Sequence, residues 1–117
     1  IFEGKTINVY NNGKMERDFT YIDDIIVGTK SAIEKNYSSE IFNLGNSQPI
    51  DLMNFISILE DKIGKKAIIN FEPMQLGDVK TTYANIDHSA LMLNYKPRTT
   101  IEVGLEKFIS WYKKFYA

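Results

Sequence analysis

Residues 51–64, DLMNFISILEDKIG, constrain the fold more than any other stretch of this chain. Asp51 is a natural acceptor for the free N–H groups of a first helical turn, and Gly64 is the residue type that stops a helix in a left-handed turn. Between them Leu52, Phe55, Ile56, Leu59 and Ile63 recur with helical spacing and make one apolar stripe. A short helix of this kind is held mainly by packing, so the rest of the chain must cover the stripe.

The flanking segments alternate between strand and helix patterns. Glu3–Lys5 reads as a turn and TINVY (6–10) as a strand, from its β-branched and aromatic content. NNGK (11–14) is a turn, because Asn and Gly accept positive φ at low cost. From Asp23 a helix is expected, with aspartates at its N-terminus and Ile22, Ile25, Ile26, Ala32 and Ile33 near a 3.6 period. EIFNLGN (40–46) reads as a short buried strand ending in a Gly–Asn turn. KAIINFEP (66–73) reads as a strand closed by Pro73, and 74–87 as an irregular loop or edge segment. Asp87 is placed to cap a short helix over HSALMLN, and YKP (95–97) breaks the chain. Thr99 and Glu102 have capping-box spacing, with Ile101, Leu105, Phe108, Ile109 and Tyr112 on one face of a last helix. Helix and strand in alternation predict an α/β or α+β domain with a small sheet.

At 117 residues the chain is long enough for one domain and short for two. Net charge is −1 with the signs interspersed, which argues against nucleic acid or an anionic membrane as partner. With no cysteine, disulfides and thiolate metal sites are excluded. No apolar run approaches a membrane span and no signal peptide opens the chain, so a soluble cytoplasmic protein is the default expectation. The start at Ile1 falls inside a pattern and reads as a piece of something longer.

The inventory of reactive groups is thin. No glycine-rich phosphate loop follows a strand, no Tyr-x-x-x-Lys pair lies on a helix, and the single histidine, His88, reads as a capping or solvent-facing residue. No residue is therefore assigned a catalytic or metal-ligating role. The polar residues at turns remain. Arg17 sits in MERDFTYIDDI (15–25), at a strand-to-helix crossing, where a planar guanidinium either grips two phosphate oxygens or pins the loop to Asp18 or Asp23. Tyr10 and Phe19 either pack in the core or stack on a base or sugar. Gly77 permits a tight turn that brings Gln75 and Asp78 together, and Asp78 either accepts from the two hydroxyls of a ribose or caps the turn. The aromatics of FISWYKKFY (108–116) have helical spacing and read as core with a solvated lysine face.

Taken together, GKTINVYNNGKMERDFTYIDDI, FNLGNSQPIDL, LEDKIGKKA, MQLGDVKTTYANID and LNYKPRTTIEVGLEKFISWYKKFY resemble the C-terminal part of the NAD-dependent nucleotide-sugar epimerase/dehydratase family, extended short-chain dehydrogenases. Within that family the segments are most similar to the UDP-glucuronate 4-epimerases. The resemblance implies a small α/β substrate-binding region with a short mixed sheet and about four helices, lacking the Rossmann core. That core, N-terminal in the family, binds NAD and supplies the catalytic residues. Arg17 matches the arginine that contacts the substrate diphosphate, and Asp78 matches the aspartate near the ribose. Asn8 and Tyr10 match the strand beside the base. Gln75 stands where many relatives carry a second phosphate-binding arginine, and Asn46 follows a loop that reaches the nucleotide in some of them. The implied chemistry is transient oxidation at C4 of a UDP-sugar, with hydride taken by NAD and returned to the opposite face after the sugar turns. The fragment then anchors the nucleotide and is inactive alone. A dehydratase, a sugar-acid decarboxylase and a non-enzymatic sugar-nucleotide binding module are the alternatives. The resemblance also implies apolar surface where the Rossmann domain would dock, with a homo-oligomer as one way to cover it.

Overall fold

The computed structural model describes residues 1–116. Its elements run β1 (Thr6–Val9), a 3-10 turn (Tyr10–Gly13), β2 (Glu16–Asp18), α1 (Ile22–Lys35), β3 (Pro49–Asp51), α2 (Leu52–Ile63), β4 (Ile68–Phe71), α3 (Asp87–Leu93) and α4 (Ile101–Tyr116). The α/β class and the helices agree with expectation. The expected mixed sheet is instead two separate ladders: β1 lies parallel to β4, with Thr6 opposite Ile68, and β2 antiparallel to β3, with Arg17 opposite Ile50.

α2 forms as its sequence requires. The Asp51 carboxylate accepts from the Asn54 N–H at 2.9 Å, and Gly64 closes the helix at φ 77° with its N–H on the Glu60 carbonyl. Its stripe packs against α4, where Ile56 is buried with Leu105 and Ile109. Removing these side chains from water is the main term holding the two helices together.

α1 forms where expected, but of its apolar set only Ile25 and Ala32 are half-buried. Ile22, Ile26 and Ile33, expected in the core, are 58%, 56% and 72% exposed. The inner face carries Asp24, Gly28 and Ser31 beside Ile25 and Ala32, residues spaced for one side of a helix. Asp24 accepts from the Thr99 N–H at 2.9 Å, and the Ser31 hydroxyl donates to the Leu93 carbonyl at 2.8 Å. Gly28 lies so close to its neighbours that a Cβ would stand 2.7 Å from a Leu44 methyl and 2.9 Å from the Tyr95 ring.

Other expectations shift for local reasons. Tyr10 leaves the strand because Asn11 and Asn12, both at φ 51°, turn the chain at once. Residues 40–46 form no strand: the Ser89 hydroxyl takes the Asn43 carbonyl and the Tyr95 hydroxyl takes the Gly45 carbonyl, so side chains replace a ladder partner. Asp87 is the first residue of α3 rather than its cap, and its own N–H donates to Asn85. At α4 the cap moves from Thr99 to Thr100, whose hydroxyl accepts from the Val103 N–H, because the Thr99 N–H is engaged by Asp24. The aromatics expected as core at the end of α4 are largely exposed; Phe108, Trp111, Phe115 and Tyr116 lie against one another and Phe2 stacks on Tyr112. Tyr95, read as part of a chain break, is nearly fully buried.

The radius of gyration is 16.7 Å and the extents 48 × 36 × 18 Å. A compact chain of this length would have a radius of about 13 Å. The molecule is therefore a slab, with more of its apolar side chains at the surface than a closed core would leave there.

Candidate functional site

β2 and the 74–86 loop build the site together. The strand presents successive side chains to opposite faces, so Arg17 and Asp18 point apart and serve different partners. The Arg17 Nη2 donates to Asp78 Oδ1 at 2.9 Å, while Nη1 donates to the carbonyls of Glu16 at 2.8 Å and Lys80 at 3.2 Å. Arg17 thus pins a loop, but to Asp78 rather than to Asp18 or Asp23; Asp23 faces Lys107 at 3.7 Å. Both members of the pair remain partly exposed.

Asp18 has a role that sequence reasoning missed. Its Oδ1 accepts from the N–H groups of Asn46 and Gln48, each at 3.2 Å, and its Oδ2 from those of Ser47 at 3.0 Å and Ala84 at 3.1 Å. One carboxylate therefore gathers the 45–48 turn and the end of the 74–86 loop against β2. Gly45 is required at this crossing, because a Cβ there would stand 2.4 Å from the Ala84 Cβ. No spacing in the sequence announces such a nest, since its four donors are backbone groups from two distant segments.

Of the two roles the sequence left open to Asp78, the structure shows the turn role. The Asp78 N–H closes on the Gln75 carbonyl at 3.3 Å, with Gly77 at φ 83°, and its Oδ1 also accepts from the Val79 N–H. Gln75 is exposed, and among the described residues its side chain has no hydrogen-bond partner. The Asn8 side-chain Oδ1 accepts from Asn70 Nδ2 at 3.2 Å across the β1–β4 ladder. Asn8 thus belongs to the other ladder and Tyr10 to the turn that follows it, and no hydrogen bond among the described residues joins them to Arg17. Asn46 is tied by its backbone to Asp18 and lines a polar hollow of about 280 Å³ with Gln48 and Arg98, the latter also unassigned from sequence. Phe19 stacks on Phe55 at 4.1 Å and lines an apolar hollow between α2 and α4, so packing is its role here. His88 is exposed and faces Glu40 at 3.1 Å.

Among the described residues no cluster of His, Asp and Glu is suited to a metal, and no helix is long and apolar enough to cross a membrane. The Tyr10…Lys14 pair has the Tyr-x-x-x-Lys spacing but spans the left-handed Asn11–Asn12 turn, not a helix.

Residues 1–45 match the profile of the NAD dependent epimerase/dehydratase family. An uncharacterised protein of Methanocaldococcus jannaschii is 54% identical over 96% of this chain and 34% of its own length. A UDP-glucuronate 4-epimerase of Arabidopsis thaliana is 39% identical over the whole chain and 31% of its own length. Among solved structures, a UDP-glucuronic acid 4-epimerase of Bacillus cereus, in complex with UDP-glucuronic acid and NAD, superposes with a TM-score of 0.90. That match has 35% identity and covers 98% of this chain and 37% of the other. The chain therefore spans roughly a third of the length of the relatives it matches.

Proposed function

The chain belongs to the NAD dependent epimerase/dehydratase family, and from that premise we propose that it holds the nucleotide end of UDP-glucuronate for a cytoplasmic 4-epimerase. The observation that carries this reading is the convergence of Arg17 and Asp78, from β2 and a distant loop, on one partly exposed ridge. A guanidinium there is matched to a diphosphate, which offers it charge and paired oxygens, and a carboxylate beside it is matched to vicinal hydroxyls. An epimerase that turns the sugar within its pocket needs the other end of the substrate held fixed. Asp18 supports the anchor by fixing β2 and both neighbouring segments.

NAD does not fit this chain's own residues. A dinucleotide needs a glycine-rich turn leading from a strand into a helix. Here β2 leads into α1 through Phe19, Thr20 and Tyr21, and β3 leads directly into α2, with no glycine at either crossing. In this reading the cofactor is held elsewhere in the enzyme, and no step is assigned to it here.

Calorimetric titration with UDP and UDP-glucuronate, comparing wild type with Arg17→Ala, tests the proposal. Loss of one charged phosphate contact is expected to weaken binding by about 1.5–3 kcal/mol. A folded wild type that takes up neither ligand, or an Arg17→Ala chain that binds as well, sinks it.

A further inference from the structure

We propose that Asp78 sets the specificity of this anion site by holding a carboxylate against Arg17, so that bare phosphates are screened out and a nucleoside diphosphate is admitted. The identity of the admitted ligand rests on the nucleotide-anchor reading above. The guanidinium cannot swing freely, because Nη1 is held by two backbone carbonyls and Nη2 is the donor that Asp78 holds. Asp78 is fixed from behind by the Val79 N–H on the same oxygen and by the turn closing on Gln75. The two side chains keep 26% and 31% of their surface exposed, so a ligand reaches the pair directly from solvent.

Nη2 carries a second N–H, and the Nε–H has no partner among the described residues, so an anion takes this edge of the guanidinium with Asp78 Oδ1 still in place. It then lies beside a carboxylate that already shares the charge of Arg17, and repulsion between the two offsets the arginine–phosphate attraction. Inorganic pyrophosphate offers that carboxylate nothing. A ribose offers it two hydroxyl donors, which offset the repulsion.

Wild type, Asp78→Asn, and Asp78→Asn combined with Arg17→Gln are each titrated with pyrophosphate and with UDP. Asparagine keeps an oxygen for the Val79 N–H and removes only the charge; Asp78→Ser, also uncharged, repeats the test with a smaller side chain. Pyrophosphate is expected to bind both single variants about fivefold tighter than wild type, the equivalent of a part-exposed ion pair. The preference for UDP over pyrophosphate shrinks accordingly, and the gain disappears when Arg17 is also replaced. Pyrophosphate binding that is undetectable or no tighter in Asp78→Asn and Asp78→Ser, or a gain that survives the loss of Arg17, overturns the screen. A pyrophosphate gain without uptake of UDP by any chain leaves the screen standing and sinks the nucleotide reading. UDP binding that needs Arg17, with pyrophosphate indifferent to residue 78, does the reverse.

Discussion

Helices α1 and α2 carry apolar residues at the same helical spacing, yet α2 buries its stripe while α1 leaves most of its own outside. α2 turns Ile56 and its neighbours onto α4. α1 turns Asp24, Gly28 and Ser31 inward and leaves Ile22, Ile26, Val27 and Ile33 outside. Hydrophobic periodicity thus reports which face of a helix is apolar, while the elements within reach decide which face is covered. α2 has α4 beside it. α1 has Leu44, Tyr95 and the end of α3, and it meets them with close backbone approach and polar ties.

The largest expected effect tests the two helices against each other. Ile56→Ala removes a buried side chain from the α2–α4 contact and should cost about 3 kcal/mol in denaturant unfolding. Ile26→Ala on the outer face of α1 should cost under ~0.5 kcal/mol. Equal losses would break the comparison, because they would require something to cover the outer face of α1 in solution.

Gly28→Ala probes the inner face and is decided by its sign. In an uncovered helix, alanine for glycine adds up to ~1 kcal/mol of stability. Here the new Cβ meets a Leu44 methyl and the Tyr95 ring, and the ring is held by its own hydrogen bond to Gly45. Leu44 can yield but Tyr95 cannot, so a net loss of about 2 kcal/mol is expected. A stabilised variant would mean that α1 stands away from Tyr95.

The parts of the molecule legible in the sequence were those fixed by local chemistry. Asp51 and Gly64 bounded α2 because a cap and a left-handed stop act within one turn of their own residue. The Asn11–Asn12–Gly13 turn was legible for the same reason. The parts that were not legible depend on distant partners. Residues 40–46 have strand composition, but Ser89 and Tyr95 take their carbonyls from 46 and 50 residues away. In the candidate site, Arg17 and Asp78 were legible singly from residue type and turn position. Their pairing across 61 residues, and the nest around Asp18, required the fold.

The smallest effect probes the surface on which Gly28 of α1 rests. Tyr95→Phe keeps the ring against Gly28 and deletes only the hydroxyl that donates to the Gly45 carbonyl at 2.9 Å. Leaving that carbonyl without its partner should cost about 1 kcal/mol near neutral pH. Burial, and then the carboxylates of Asp24 and Asp18, push the Tyr95 phenol above its ordinary 10.0. A folded-state value raised for an acid means that the fold favours the neutral form. The stability it contributes is therefore complete below pH 10 and is lost as pH rises beyond that point toward the raised value. Wild type should lose stability over this window faster than the phenylalanine variant, measured as the difference between their unfolding free energies at stepped pH. Lysines titrate in the same range in both chains, so the difference isolates the phenol. If the two chains fall in parallel, the hydroxyl is wetted, and the inner face of α1 is no better sealed than the outer one.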